Sequence, residues 1–161
     1  MPSIVPAAIL QPPFFDPEAD YVCNYGAIGA VIGHEMTHGF DDQGCQFDKD
    51  GNLANWWTAG DKARYDERTK VIADWFSEQE AVPGLKVNGQ KTLGENVSDN
   101  GGLKIAYRAY KNRMASEPLG DVDGFTPDQR FYLAYARVWA CNSTPATDKM
   151  FIPKEKRALV W

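Results

Sequence analysis

The apolar positions of this chain recur mostly at helical spacing. Tyr65, Thr69, Ile72 and Phe76 follow one another at intervals of 4, 3 and 4 residues, which is the period of one helix face. Similar stripes run from Leu103 to Met114 and from Phe131 to Val138. The chain is therefore predicted to consist largely of amphipathic helices, each with one buried side.

Fewer segments carry strand signals. Short apolar runs at Ile4-Val5, Leu85–Val87 and Met150–Ile152 are the candidates. A helix start is predicted at Thr126, which is followed by proline at the first helical position and by a glutamine that can complete a capping box. No internal repeat or long linker divides the chain, so we expect a single domain over residues 1–161, mainly α with a small β component.

The run Tyr25–Gly33 is apolar almost all round, which is typical of a helix inside a core. Each of its glycines lowers helix stability by about 1 kcal/mol. Close packing of a neighbouring element against these small residues would explain why they are present. The run is far shorter than the roughly 20 residues that a membrane-spanning helix needs. Gly39 and the polar residues after it indicate that the helix ends there.

Both histidines of the chain follow this run, in the string HEMTH at His34–His38. Positions i and i+4 of a helix lie on one face, so the two imidazoles can bind one zinc ion, with Glu35 beside them to act on a water molecule. The alternative is a helix that happens to carry two histidines. The metal interpretation is favoured because the chain has no histidine outside the motif.

A catalytic zinc site needs a third protein ligand. The second acidic cluster, Gly94–Gly102, contains Glu95 and Asp99, which are again four residues apart. One carboxylate could ligate the metal while the other accepts the free N–H of a ligating histidine. Taken alone, this cluster would indicate only the acidic first turn of a helix. Together the two motifs predict one zinc ion per chain.

The residues also resemble the C-terminal catalytic lobe of the neprilysin and endothelin-converting-enzyme family of zinc metallopeptidases, a zincin (thermolysin-like) fold built around the HExxH helix. The similar stretches follow the family's order and cover most of the chain: Ala8–Phe15, Asn24–Asp42, Gly94–Gly102, Phe131–Trp139 and Pro153–Trp161. The resemblance implies a metalloendopeptidase that hydrolyses peptide bonds by a water that zinc activates.

The resemblance also implies residue roles. His34, His38 and Glu95 would be the zinc ligands and Glu35 the general base. Asp99 would orient a ligating histidine, with Asp41 a weaker candidate of the same kind. Five apolar residues match positions of the family's pocket for the residue after the scissile bond, although ordinary core packing would explain them equally well: Ile9, Phe14, Val31, Val138 and Trp139.

Some family features are expected to be missing. The family places a histidine that stabilises the oxyanion, and an arginine that binds the substrate backbone, between its Val-Trp motif and its C-terminal tryptophan. Ala140–Met150 contains neither. The family's N-terminal lobe, which roofs the cleft, and its Asn-Ala substrate-binding strand also have no match. The alternative function is therefore a zinc-bound but catalytically impaired fragment that acts as a structural or binding module.

Composition limits the partners. A net charge of −5 and a pI near 5.0 disfavour nucleic acid, and no apolar stretch is long enough for membrane insertion by this chain. Peptide substrates and the N-terminal lobe of a two-lobed parent protein are the expected partners. The resemblance places that parent outside the cytoplasm, as a secreted, periplasmic or membrane-anchored ectodomain.

The three cysteines do not have the spacing of a zinc site: Cys23, Cys45 and Cys141. The sequence leaves two roles open for them, core packing and a single disulfide.

Overall fold

The computed structural model describes residues 5–158 and is mainly helical with one small sheet, which confirms the predicted fold class. Ile4 and the last three residues of the matched stretch Pro153–Trp161 lie outside the described residues. The chain divides into two compact units. The first unit contains His38–Ser98 and the described part of Asn142–Trp161, and the second contains the described part of Ser3–Thr37 with Asp99–Cys141. The interpretation of residues 1–161 as a single domain stays a prediction.

Six α-helices and two strands make up most of the regular structure of the described residues. The helices are α1 (Tyr21–Asn24), α2 (Ala30–Thr37), α3 (Ala59–Glu78), α4 (Leu93–Ser116), α5 (Pro127–Trp139) and α6 (Pro145–Phe151). The strands are β1 (Glu80–Val82) and β2 (Leu85–Lys86). A π-helical stretch at Tyr25–Gly29 and 3-10 turns at Ala7–Ile9, His38–Phe40 and Gly44–Gln46 complete the description.

The first unit is built on α3, which begins at a capping box between Thr58 and Asp61. Helix α3 leads into the antiparallel hairpin of β1 and β2, and α6 packs against β1. The buried apolar residues of this unit come from α3, β1, the start of α4 and the segments around them: Cys45, Ala73, Val82, Val87, Leu93 and Ile152. The predicted strand at Leu85–Val87 is confirmed as β2 over Leu85–Lys86.

The strand predicted at Met150–Ile152 is wrong, because Met150 and Phe151 end helix α6. The reason is visible at the start of this helix. Thr144 accepts a hydrogen bond from the backbone N–H of Thr147, and Pro145 occupies the first helical position. A strong helix start therefore outweighs a short apolar run that follows it.

The second unit has a core of five buried side chains contributed by α1, α2, α4 and α5: Val22, Ala30, Ala106, Tyr110 and Phe131. The rings of Tyr110 and Phe131 stack with centroids 5.5 Å apart. Asp128, in the first turn of α5, accepts hydrogen bonds from the hydroxyls of Tyr107 (2.9 Å) and Tyr110 (2.6 Å) on α4. The predicted start of α5 at Thr126, with its capping box, is confirmed.

Glycines allow the backbones of this unit to approach closely, as the apolar run predicts. A Cβ on Gly26 would lie 2.2 Å from the carbonyl oxygen of Phe131, and one on Gly33 would lie 2.6 Å from that of Gly102. Neither position can hold a larger residue without moving its helical backbone away from the neighbouring helix. The helix-propensity cost of these glycines is therefore offset by packing.

Candidate metal centre and catalytic residues

The motif HEMTH lies at the end of a long run of helical backbone. Residues 21–40 are helical throughout, passing from α1 through the π-helical Tyr25–Gly29 and α2 into the 3-10 turn at His38–Phe40. Single π turns inside α-helices occur frequently at functional sites. The helix ends one residue past Gly39, close to the predicted end. His34 and Glu35 lie in α2 and belong to the second unit, whereas His38 belongs to the first.

In the second unit, His34 is buried and lies beside Asp99. Its Nδ1 is 2.9 Å from Oδ1 of Asp99, which lies on α4. Gly102, one turn further along α4, packs directly on the backbone of His34. With Nδ1 beside a carboxylate, Nε2 is the nitrogen that His34 can offer to a metal.

In the first unit, His38 has a carboxylate of its own. Its Nδ1 donates to Oδ2 of Asp41 at 2.6 Å and lies 3.0 Å from Oγ of Ser98. The other oxygen of Asp41 accepts the backbone N–H groups of Gln43 (2.8 Å) and Gly44 (2.7 Å). Burial favours the neutral form of Asp41, but these hydrogen bonds outweigh it and hold the pKa of Asp41 below its usual value. Asp41 therefore stays ionised, and Nε2 is the nitrogen that His38 can offer to a metal.

Glu95, in the first turn of α4, lies next to that nitrogen. Its Oε1 is 3.7 Å from Nε2 of His38, too long for a hydrogen bond. Two ligands that each lie about 2.1 Å from a tetrahedral zinc ion are about 3.4 Å apart, so this spacing suits two ligands of one ion. Its Oε2 accepts a hydrogen bond from Nη2 of Arg157 at 2.8 Å. The donor types of these residues, and the spacing of His38 and Glu95, therefore fit zinc.

The other predicted site residues are located but their roles stay predictions. Glu35 follows His34 on α2 and is half-buried. The proposed pocket residues all belong to the second unit and are all half-buried: Ile9, Phe14, Val31, Val138 and Trp139.

Sequence reasoning missed two neighbours of these groups. Ser98 contacts His38, and the signal for it was present, because Ser98 is three residues after Glu95 and so shares its helix face. Arg157 pairs with Glu95 across a separation of 62 residues, for which no local pattern exists.

Comparison with known proteins identifies the family. The family model described as "Peptidase family M13" matches residues 2–156. The chain belongs to peptidase family M13. The resemblance to neprilysin and endothelin-converting enzyme is thereby confirmed.

Among relatives of this M13 chain, Neprilysin-1 of Caenorhabditis elegans is 43% identical over 153 residues, covering 91% of this chain and 20% of the relative. Endothelin-converting enzyme 1 of Homo sapiens is 45% identical over 145 residues, covering 88% of this chain and 19% of the relative. A crystal structure of a zinc metalloprotease of Mycobacterium tuberculosis in complex with inhibitor is 44% identical with a TM-score of 0.88, covering 94% of this chain and 24% of that one. The M13 chain thus spans about a fifth of the length of the curated relatives it matches.

Two further expectations concern the cysteines and the membrane. Cys23, Cys45 and Cys141 are free thiols, half-buried, buried and exposed respectively. Burial raises the pKa of the Cys23 and Cys45 thiols. Among residues 5–158, no helix has the length and apolar character that a membrane span requires.

Proposed function

We propose that this chain carries the zinc centre of an M13 metalloendopeptidase, with His34, His38 and Glu95 as the three protein ligands. Two histidines and one carboxylate are a ligand set of catalytic zinc. The observation that carries the proposal is that each histidine has Nδ1 beside a carboxylate oxygen, 2.9 Å from Asp99 for His34 and 2.6 Å from Asp41 for His38. Such pairs fix the ring orientation and raise the basicity of the nitrogen that binds metal.

Zinc, when bound, would supply the Lewis acidity that activates a water molecule and polarises a peptide carbonyl. Glu35 is the proposed general base, because it is next to His34 on α2 and a carboxylate can take a proton from water. It would then pass the proton to the leaving amine. Asp99 and Asp41 hold the imidazoles and take no part in proton transfer.

The substrates we propose are peptides. The half-buried apolar residues Ile9, Phe14, Val31, Val138 and Trp139 would form the pocket for the residue after the scissile bond. The names of the relatives, which include a converting enzyme and a zinc metalloprotease, support a protease function for the longer protein. We also propose an extracytoplasmic location for that protein, on the basis of the family resemblance.

A second candidate is a zinc-bound module with little hydrolytic activity. It is favoured by the segment Ala140–Met150, which contains no histidine or arginine and ends within helix α6. A protein that lacks one donor to the oxyanion loses about 10²–10³ in turnover. The two candidates share the zinc site and differ in rate.

The test combines metal analysis with a cleavage assay on the purified 161-residue chain. We expect one zinc per chain, lost in His34→Ala, and slow cleavage of a small apolar peptide. Glu35→Gln is the control, because it should retain zinc and lose cleavage. A chain that never binds zinc would contradict the proposed site. Zinc binding with no difference between the chain and Glu35→Gln would favour the second candidate.

A further inference from the structure

The two oxygens of the Glu95 carboxylate have different neighbours. Oε1 lies 3.7 Å from Nε2 of His38, while Oε2 accepts a hydrogen bond of 2.8 Å from Nη2 of Arg157. Both members of the ion pair are about three-quarters buried, with 26% of Arg157 and 25% of Glu95 exposed. The pair is thus shielded from water more than a typical surface ion pair.

The segment that carries Arg157 is held against the start of α4 at a second point. Nζ of Lys91 donates to the carbonyl oxygens of Pro153 (2.7 Å) and Lys154 (2.8 Å). Ile152, just before them, is buried. Lys91 precedes α4 by two residues and Glu95 lies in its first turn, so two separate contacts join this segment to one short stretch of chain. The backbone just before Arg157 is therefore anchored to the residues just before Glu95.

We propose that Arg157 is a positioning residue for the zinc centre: it holds Oε2 of Glu95 and so presents Oε1 to the metal. This inference rests on the proposed zinc site. A glutamate side chain loses considerable rotamer freedom when it is fixed, and an ion pair formed beforehand removes that cost from metal binding. Hydrogen bonds to the second oxygen of a ligating carboxylate are typical of metal sites, and their loss commonly costs roughly 10–100-fold in metal affinity.

A guanidinium group near a zinc site also has an opposite effect. Its positive charge repels the cation and draws electron density from the carboxylate, so its removal would tighten zinc binding if charge were dominant. Positioning and repulsion thus predict changes of opposite sign for the same substitution. The direction of the change in zinc affinity decides between them.

The experiment measures zinc affinity of the 161-residue chain by competition with a chromophoric chelator. Arg157→Met should weaken zinc binding by roughly 10-fold or more, and Arg157→Lys, which retains a charged donor, should restore part of the loss. The matched control is Lys156→Met, which removes the same charge from an exposed neighbour and should leave affinity within about twofold. Circular dichroism of the metal-free variants checks that each is folded, and Arg157→Gln replaces Arg157→Met if that variant is not.

A second readout distinguishes positioning from a general structural effect. The visible spectrum of the cobalt(II)-substituted protein depends on the ligands and geometry of the metal. It should change in Arg157→Met, return toward the original in Arg157→Lys, and be unaltered in Lys156→Met.

Three results would overturn the inference: zinc affinity in Arg157→Met that is unchanged or tighter, an equal loss in Lys156→Met, or a cobalt spectrum that Arg157→Met leaves unaltered. If the unaltered chain binds zinc, such results leave the proposed function intact. If the unaltered chain binds no zinc, the proposed function and this inference are both overturned.

Discussion

The tight contact between Gly102 and the backbone of α2 allows a graded test of how the second unit is packed. In the middle of a helix, a change from glycine to alanine ordinarily stabilises by about 1 kcal/mol, because it restores helix propensity. At Gly102 an added Cβ would lie 2.3 Å from the backbone N of His34 and 2.7 Å from the carbonyl oxygen of Ala30. Both are backbone atoms, so α2 and α4 would have to separate.

Overpacking of this kind typically costs 1–3 kcal/mol and occasionally more. Because no flexible side chain can relieve the clash, we take the cost at about 3 kcal/mol, the upper end of that range. Subtracting the gain in helix propensity leaves a net destabilisation of about 2 kcal/mol for Gly102→Ala. For a chain of this size that corresponds to a melting temperature lower by roughly 4–8 °C.

Thermal unfolding of the metal-free chain, followed by circular dichroism, measures the effect. Gly60→Ala in α3 is the control, because its Cβ would have no neighbour nearer than 3.6 Å and should gain up to about 1 kcal/mol. Gly101→Ala should fall between the two, since its Cβ would meet only the Thr37 side chain, at 2.7 Å. Equal melting temperatures for Gly102→Ala and Gly60→Ala would refute the close approach of α4 to α2.

Two further predictions concern carboxylates. Asp99→Ala should weaken zinc affinity by roughly 10–100-fold, because it removes the carboxylate beside Nδ1 of His34. Asp121→Ala, at an exposed position, should have no such effect. Chelator competition measures both affinities, and equal small changes would contradict the role assigned to Asp99. Hydrogen bonds from Tyr110 and other partners lower the pKa of Asp128 in the folded protein. The ionised Asp128 carboxylate therefore stabilises the fold fully above the pKa of an unfolded aspartate, near 4, and this stabilisation is lost as the pH falls through the pKa of the folded protein. Asp128→Asn should therefore destabilise by about 1 kcal/mol at pH 7, a figure reduced for its partial exposure. In thermal unfolding this difference should shrink as the pH falls below about 4, and a difference that stays constant with falling pH would exclude this linkage.

The helices were predictable because their signals are local. The stripe from Tyr65 to Phe76 lies within α3, and Thr126 with the proline after it marks the start of α5. At Thr144-Pro145 the same type of signal was present, and it should have outweighed the apolar run at Met150–Ile152. Hairpin strand β1 was missed because Glu80–Val82 is too short to show a period, and it forms through pairing with β2.

In the candidate site, too, contacts between residues close in sequence were easier to predict than contacts between distant residues. The pairing of His38 with Asp41 spans three residues, and Asp41 was recognisable as a candidate from the sequence. The contact of Arg157 with Glu95 depends on the path of the chain after α6, which no spacing rule describes. Candidate metal ligands are therefore easier to recognise from a sequence than the residues that hold them in position.

Each proposed zinc ligand has one polar atom already engaged by a group of opposite charge. His34 faces Asp99, His38 donates to Asp41, and Glu95 accepts from Arg157. Each imidazole has an acid beside its Nδ1, which favours the tautomer with the proton on Nδ1 and leaves Nε2 to face a metal, and the carboxylate is paired with a base. Only the His38 pair is local in sequence, and the other two form only when distant parts of the chain have folded. Zinc binding at these residues would therefore be coupled to folding, since an unfolded chain would have to order the ligands and their partners together.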